Sequence, residues 1–237
     1  YMYENCGLVT ALENSYRNNT KEYCLLSRID HERVLFHFDC FVYKIRNKDL
    51  VIVFENKTKE QHQKINMMKK EKVISSIKEV SVKLSQCSIY DCVHDVLEII
   101  GKNMKLDRVY TFKNHIGENG ESLTSHQFEW CNESVIPQLN NPDLQNINYD
   151  SIPRWKEYLQ NNHPICGSVY NMPGNEQEIL FEQGIQSICV VPIFVKGHWW
   201  GFIGFDMCWY EKEWSYDEES LLFTLSRIIS MSLELDK

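Results

Sequence analysis

From Lys59 to Gln86 the chain holds neither glycine nor proline and is crowded with Lys, Glu and Gln, and this stretch dictates how the rest divides. Nothing in such a run breaks a helix, and it carries too little apolar area to form a core alone, so it reads as a connector helix. Ile74, Ile77 and Leu84 mark one stripe along it, with Val73 and Val80 beside them, while Lys70 and Ser81 interrupt the stripe. Two readings of the connector stand level: a solvated spacer, or one strand of a parallel helical homodimer that transmits rotation or register.

The chain on either side is punctuated differently. Residues 1–58 begin with Leu8, Leu12 and Tyr16 at helical spacing, stopped by Asn18-Asn19. Glu22–Ile29, Val34–Lys44 and Leu50–Glu55 follow, rich in Val, Ile, Phe and Tyr, with turns at Asp30-His31-Glu32 and Arg46-Asn47-Lys48-Asp49. They predict an antiparallel meander. One helix and three strands bury little, so this part is expected to be a piece of a longer domain or to lean on a partner.

Beyond Gln86, Tyr90, Val93, Val96, Leu97 and Ile100 predict an amphipathic helix that stops near Gly101 and Asn103. Asp107–Asn114 and Ser122–Trp130 read as strands across a Gly117–Gly120 loop. Pro153 opens a helix carrying Trp155, Tyr158 and Leu159. Ile165–Tyr170 reads as a strand, Glu176–Gln183 as a helix ended by Gly184, and Ser187–Val195 with His198–Cys208 as a hairpin. Ser215 then caps a last helix, with Glu218 as its capping-box partner. This order predicts an α+β fold, an antiparallel sheet flanked by helices.

Composition excludes several function classes. A hydrophobic content of 43% supports a packed core, and a net charge of −8 opposes nucleic-acid binding and anionic membranes alike. The nine cysteines are odd in number and lie in part within apolar runs, as at Cys189, which favours buried free thiols in a reducing, cytoplasmic setting over a disulfide framework. No cysteine pair has zinc-knuckle spacing, and no stretch is long enough for direct membrane insertion.

Leu106-Asp107-Arg108-Val109-Tyr110, Phe128-Glu129-Trp130-Cys131 and Ile136-Pro137-Gln138 resemble the front half of a GAF domain from bacterial sensor proteins. Gln183-Gly184-Ile185-Gln186-Ser187, Val190-Val191-Pro192-Ile193 and Gly201-Phe202-Ile203-Gly204-Phe205-Asp206 before Trp214-Ser215 resemble the back half. Residues 1–58, with Phe54-Glu55-Asn56-Lys57-Thr58, resemble the C-terminal part of a PAS domain. The resemblance implies three parts: a partial PAS-like segment at 1–58, a connector at 59–87 and a GAF-like domain at 88–237. It also implies a sensory module for a small molecule, feeding a histidine kinase or diguanylate cyclase output supplied in cis or in trans.

The family's pocket lies between the sheet and the elements covering one face, which makes Trp130, Trp155, Cys166, Tyr170, Phe181 and Cys189 the candidate ligand-lining residues. The cofactor is left unknown. Cyclic nucleotide is disfavoured because only Asp217-Glu218 resembles the expected motif. A covalent bilin is disfavoured because Cys131 and Cys166 sit in no chromophore motif, and metal sensing through His115, His126 or His163 has no supporting pattern. Asp206 and Glu129 read as partly buried carboxylates with structural hydrogen bonds, and no catalytic constellation is evident. Gly201 and Gly204 mark places of close packing, taken as a joint between the hairpin and the last helix. The competing readings are a ligand-free dimerisation module and a methionine-sulfoxide-reducing enzyme using clustered cysteines.

Overall fold

Two compact units, Tyr1–Met68 and Lys69–Lys237, divide the chain in the computed structural model, which describes residues 6–29, 35–45 and 49–235. In the first unit, α1 (Cys6–Asn18) packs against an antiparallel sheet of β1 (Glu22–Ile29), β2 (Leu35–Lys44) and β3 (Leu50–Asn56), in that order. Ala11, Cys24, Cys40 and Val42 form its small core, with Leu8, Leu12 and Leu50 packed around them. Tyr16, at helical spacing from Leu8 and Leu12, is exposed. The turns expected at residues 30–32 and 46–48 lie outside the described residues. Helix α2 (Thr58–Leu84) begins where the Asn56 side chain accepts the Thr58 amide, and it runs unbroken as its composition requires.

The second unit is built on a six-stranded antiparallel sheet in the order β6-β5-β4-β9-β8-β7. Its strands are β4 (Arg108–Ile116), β5 (Ser122–Cys131), β6 (Ile147–Asn148), β7 (Ile165–Ser168), β8 (Ser187–Val195) and β9 (His198–Met207). Both faces are covered, which explains why Ile188 to Ile193 is buried without interruption instead of alternating with polar residues. On one face lie α3 (Ile89–Met104) and α6 (Tyr216–Leu235), together with Val73 and Val80 of α2. These α2 valines, beside the connector stripe in sequence, are core residues of this unit, whereas Ile74 faces solvent. On the other face lie α4 (Pro153–Gln160) and α5 (Gly174–Glu182), which cover a separate core.

Helix α3 stops close to Gly101 and Asn103, as the sequence predicts. The helix runs on to Met104 and closes on Lys105, whose left-handed backbone (φ 54°) lets its N–H reach the Gly101 and Lys102 carbonyls. Gly101 is needed because the Trp130 ring lies against the helix there. A Cβ at residue 101 would sit 2.0 Å from the ring.

At the start of α6 the Ser215 amide donates to Glu218 Oε2 at 3.0 Å and the Glu218 amide donates to Ser215 Oγ at 3.3 Å, closing the expected capping box. Ser215→Ala removes the acceptor for the Glu218 amide, and urea denaturation should show a loss of about 1 kcal/mol. An unchanged midpoint would mean that the helix end is held by packing alone.

Candidate functional site

The strand alternation of β4 sends Val109 to the α3 and α6 face and Tyr110 to the other. Phe112, two residues on, returns to the face of Tyr110, while the register shift opposite Thr111 and Phe112 turns His126 of β5 to that side. Phe112 stacks on Phe202 of β9 and on His126 of β5, with both pairs of ring centroids 4.8 Å apart. Over this aromatic floor, α4 contributes Trp155, α5 contributes Ile179, Leu180 and Glu176, and the segment before α4 contributes Leu144, Ile147 and Ile152. Together they line a partly open cavity of about 50 Å³ with Thr124 and Gln183 also at its wall. That is far below the roughly 300–1,000 Å³ of clefts that hold drug-sized ligands, and it suits a molecule of a few heavy atoms.

The cavity is apolar with a small set of polar groups. Glu176 is 3% exposed, and its carboxylate accepts two hydrogen bonds from the Arg154 guanidinium, one of them at 2.8 Å from Nε. The pair brings no net charge to the wall. Trp155 is 7% exposed, and its indole N–H is buried without a hydrogen-bond acceptor. Gln183 gives its amide N–H to the Ile179 carbonyl. A neighbouring cleft that shares Leu144, Ile147, Ile179 and Gln183 with this pocket is lined also by Asn141, Asn146, Asn148, Asp143 and Glu182.

Behind the floor lies a buried ionic cluster. Arg108 is 1% exposed, and its guanidinium lies 3.3 Å from Glu129 Oε1 and 3.3 Å from Asp206 Oδ2. It also donates to the Ile136 and Gln183 carbonyls, while Tyr110 donates its hydroxyl to Asp206 at 3.1 Å. Glu129 accepts the Gln138 and Leu139 amides. The two carboxylates read from the sequence as structural are therefore joined through one arginine. Asp206 ties β9 to β4, and Gly201 and Gly204 admit the Phe112 backbone and the Tyr110 ring, so the joint lies between central strands and not at the last helix.

Burial pushes Asp206 up to about 7, against the pull of Arg108 and the Tyr110 hydroxyl. Burial pushes His126 down to about 4, although backbone at Gln138 and Phe128 favours its proton somewhat. His126, read as a loop residue, lies inside β5 among rings with neither ring nitrogen hydrogen-bonded. The two shifts have opposite consequences. Between pH 3.8 and about 7 the native state keeps an Asp206 proton that the unfolded chain has released, so this contribution is lost as pH rises. Between about 4 and 6.5 the unfolded chain protonates His126 and the native state does not, so stability is lost as pH falls. Urea midpoints across this range should therefore separate the variants. Relative to wild type, His126→Phe should lose stability with rising pH and Asp206→Asn should gain it, and parallel profiles would contradict both assignments.

The six candidate residues are dispersed. Trp155 lines the cavity. Trp130 packs on Gly101 at the α3 face. Tyr170 follows β7 in a 3-10 turn, is exposed, and packs its ring 4.9 Å from Phe181 of α5, itself at the margin of the cavity-side core. Cys166 and Cys189 are cross-strand neighbours in β7 and β8 and form a disulfide, where free thiols were expected. Six of the remaining cysteines are free, and Cys131 is among them. Among the described residues no group of three His, Cys, Asp or Glu side chains is placed to hold a metal ion, and no helix is long and apolar enough to cross a membrane. Tyr110, Phe112, Glu176 and Phe202 were not foreseen. The alternation of β4 and β9 carried a signal for the three aromatics, whereas nothing local marks Glu176 as buried.

The GAF domain family model matches residues 88–233. The methanogenesis regulatory histidine kinase FilI of Methanothrix harundinacea (strain 6Ac) is 38% identical over 161 residues, which is 67% of this chain and 18% of that protein. The chain thus spans less than a fifth of that relative's length. Among solved structures, the phycocyanobilin-bound GAF domain from a cyanobacterial phytochrome is 18% identical with a TM-score of 0.55, covering 69% of this chain and 94% of that one. The chromophore-binding domain of a Stigmatella aurantiaca bacteriophytochrome is 14% identical with a TM-score of 0.57, covering 95% of this chain and 76% of that one. At these identities the likeness establishes the fold.

Proposed function

The chain belongs to the GAF domain family over residues 88–233, and from that premise we propose that it is the sensory part of a signal-transduction protein, binding a small molecule in the cavity between the sheet and α4 and α5. The observation that carries this reading is the apolar pocket between the sheet and α4 and α5, walled by Phe112, Trp155, Ile179 and Phe202 with Thr124, Glu176 and Gln183 as its few polar residues. Relatives of this fold hold bilins, as the phycocyanobilin-bound neighbour does. The volume here argues for a smaller occupant.

Relay follows from the sheet. Tyr110 and Phe202 touch the cavity, while their chain neighbours Val109 and Ile203 touch the core under α3 and α6. A shift in β4 and β9 on one face therefore displaces the helices on the other, and these would lead to an output domain in cis or in trans. The histidine kinase relative is the reason to expect a kinase output.

Native mass spectrometry of the protein after exposure to cell extract tests the binding claim. A retained small molecule that is lost in Ile179→Trp, which fills the cavity, is the expected result. Retention unaffected by that substitution would place the ligand elsewhere.

One observation also favours dimerisation. Met67, Ile74 and Val82 of α2 are each more than half exposed, at spacings that return to one side of a helix. A parallel homodimer through α2 would cover them. Light scattering should then give a dimer mass that Ile74→Glu with Val82→Glu reduces to the monomer.

A further inference from the structure

We infer that Cys166 and Cys189 form a thiol–disulfide exchange site, reduced by a small dithiol and re-formed by a small disulfide, that fastens the cavity's cover to the sheet.

The cover is one run of chain, α4, β7 and α5 in succession. Trp155 of α4 and Ile179 and Leu180 of α5 line the cavity, and the Arg154–Glu176 ion pair ties the two helices together. Between them, β7 carries the cover into the sheet. It is an end strand of four residues, paired with β8. Alternation sends Ile165 to the cavity-side core and Cys166 to the opposite face, where Cys189 lies in the core under α3 and α6. The disulfide is therefore on the far side of β7 from the cavity, and a reaction there displaces nothing that the cavity holds.

Exposure decides which sulfur reacts. Cys189 is fully buried, whereas Cys166 is partly exposed at the sheet's end. Cys24 and Cys40 supply the contrast. They too are directly opposed in an antiparallel ladder, yet both are buried and both are free. Opposition alone does not make an exchange site; a reachable sulfur on an end strand does.

The chemistry closes without a further reactant. One thiolate of the dithiol attacks Cys166 Sγ, the bond to Cys189 breaks, and Cys189 leaves with the electron pair and takes up a proton. The second thiol, giving up its proton, attacks the mixed disulfide and releases Cys166. The chain gains two thiols and the dithiol becomes a cyclic disulfide, a transfer of two electrons and two protons. In return, Cys166 attacks a small disulfide and Cys189 displaces the remaining thiol. Once the bond is broken, β7 is held by its ladder to β8 and by the packing of Ile165 and Val169. A short end strand opens at low cost, so the whole cover opens more often in the dithiol form.

The test treats the folded full chain, without denaturant, with dithiothreitol or with oxidised glutathione. Acid quenching, unfolding and N-ethylmaleimide labelling then count the thiols by peptide mass spectrometry. Cys166 and Cys189 should be labelled after dithiothreitol and unlabelled after oxidised glutathione, and the change should reverse. Hydrogen exchange of amides from α4 to α5 should run at least about fivefold faster in the reduced protein, with α3 unchanged. Cys166→Ser should exchange at the reduced rate under either reagent. Labelling that does not respond until the protein is unfolded, or equal exchange of the cover in the two forms, would overturn the inference. The wild-type comparison decides this even if the variant fails to fold. Retention of a molecule is read separately: none retained in either form sinks the binding reading, while the exchange rates still decide this one.

Discussion

Arg108→Met is expected to remove about 3–5 kcal/mol from the stability of the second unit, the largest single-residue loss anticipated in this chain. The arginine is 1% exposed and is the cation shared by Glu129 and Asp206, as well as a donor to two carbonyls. Methionine fills much of the same volume and, above about pH 7 where Asp206 is ionised, leaves both carboxylates buried without a counter-charge. Set against a typical domain stability of about 5–15 kcal/mol, the loss is large enough to leave part of the protein unfolded at room temperature. Urea denaturation followed by circular dichroism measures it. The companion experiment adds Asp206→Asn and Glu129→Gln to Arg108→Met, which removes the stranded charges and should recover more than half of the loss. A single variant that loses less than about 1 kcal/mol, or a triple variant no better than the single, would show that the cluster is hydrated and not ionic at its heart.

The second large effect is expected at Gly201. It pairs with Lys113 in the central β4–β9 ladder, and an added Cβ would stand 2.0 Å from the Phe112 carbonyl oxygen and 3.1 Å from the Lys113 Cα. The nearest atoms are all β4 backbone, so no rotamer change relieves the clash. Overpacking in a core costs about 1–3 kcal/mol and occasionally more, and Gly201→Ala should fall at about 3 kcal/mol because two central strands must separate. Phe112 and Phe202, which floor the cavity, flank this point, so retention of a molecule in the cavity should weaken together with stability. Gly174→Ala is the control. A Cβ there meets nothing within 4 Å, and the residue opens α5, so its stability should change by less than about 0.5 kcal/mol. Equal effects at the two glycines would contradict the close strand approach.

Much of the fold was legible because its signals are local. Pro153 opens α4, the Ser215 and Glu218 pair closes the start of α6, and the apolar runs of β8 and β9 announce strands buried on both sides. The end of α3 near Gly101 and Asn103 was legible, whereas the reason for Gly101 itself lies in another element. It makes room for Trp130, while the helix ends on a lysine in a conformation that composition favours for glycine or asparagine. The Cys166–Cys189 disulfide was likewise invisible, because 23 residues of chain separate its ends and only the β7–β8 register brings them together.

The site was less legible than the fold. Which face a strand residue occupies depends on counting in twos, and the irregularity between Thr111 and Phe112 resets the count. Trp130, on β5, therefore falls on the helix side while His126, four residues earlier, falls on the cavity side. Arg108 and Glu176 look like ordinary surface charges in the sequence. Each is buried only because a partner far along the chain, Asp206 for one and Arg154 for the other, arrives to neutralise it.

The most direct measurement of the central claim is a crystal structure of the protein after exposure to the extract. The account predicts density bounded by Phe112, Trp155, Ile179 and Phe202. A cavity holding only water while the bound molecule sits on another surface would contradict it.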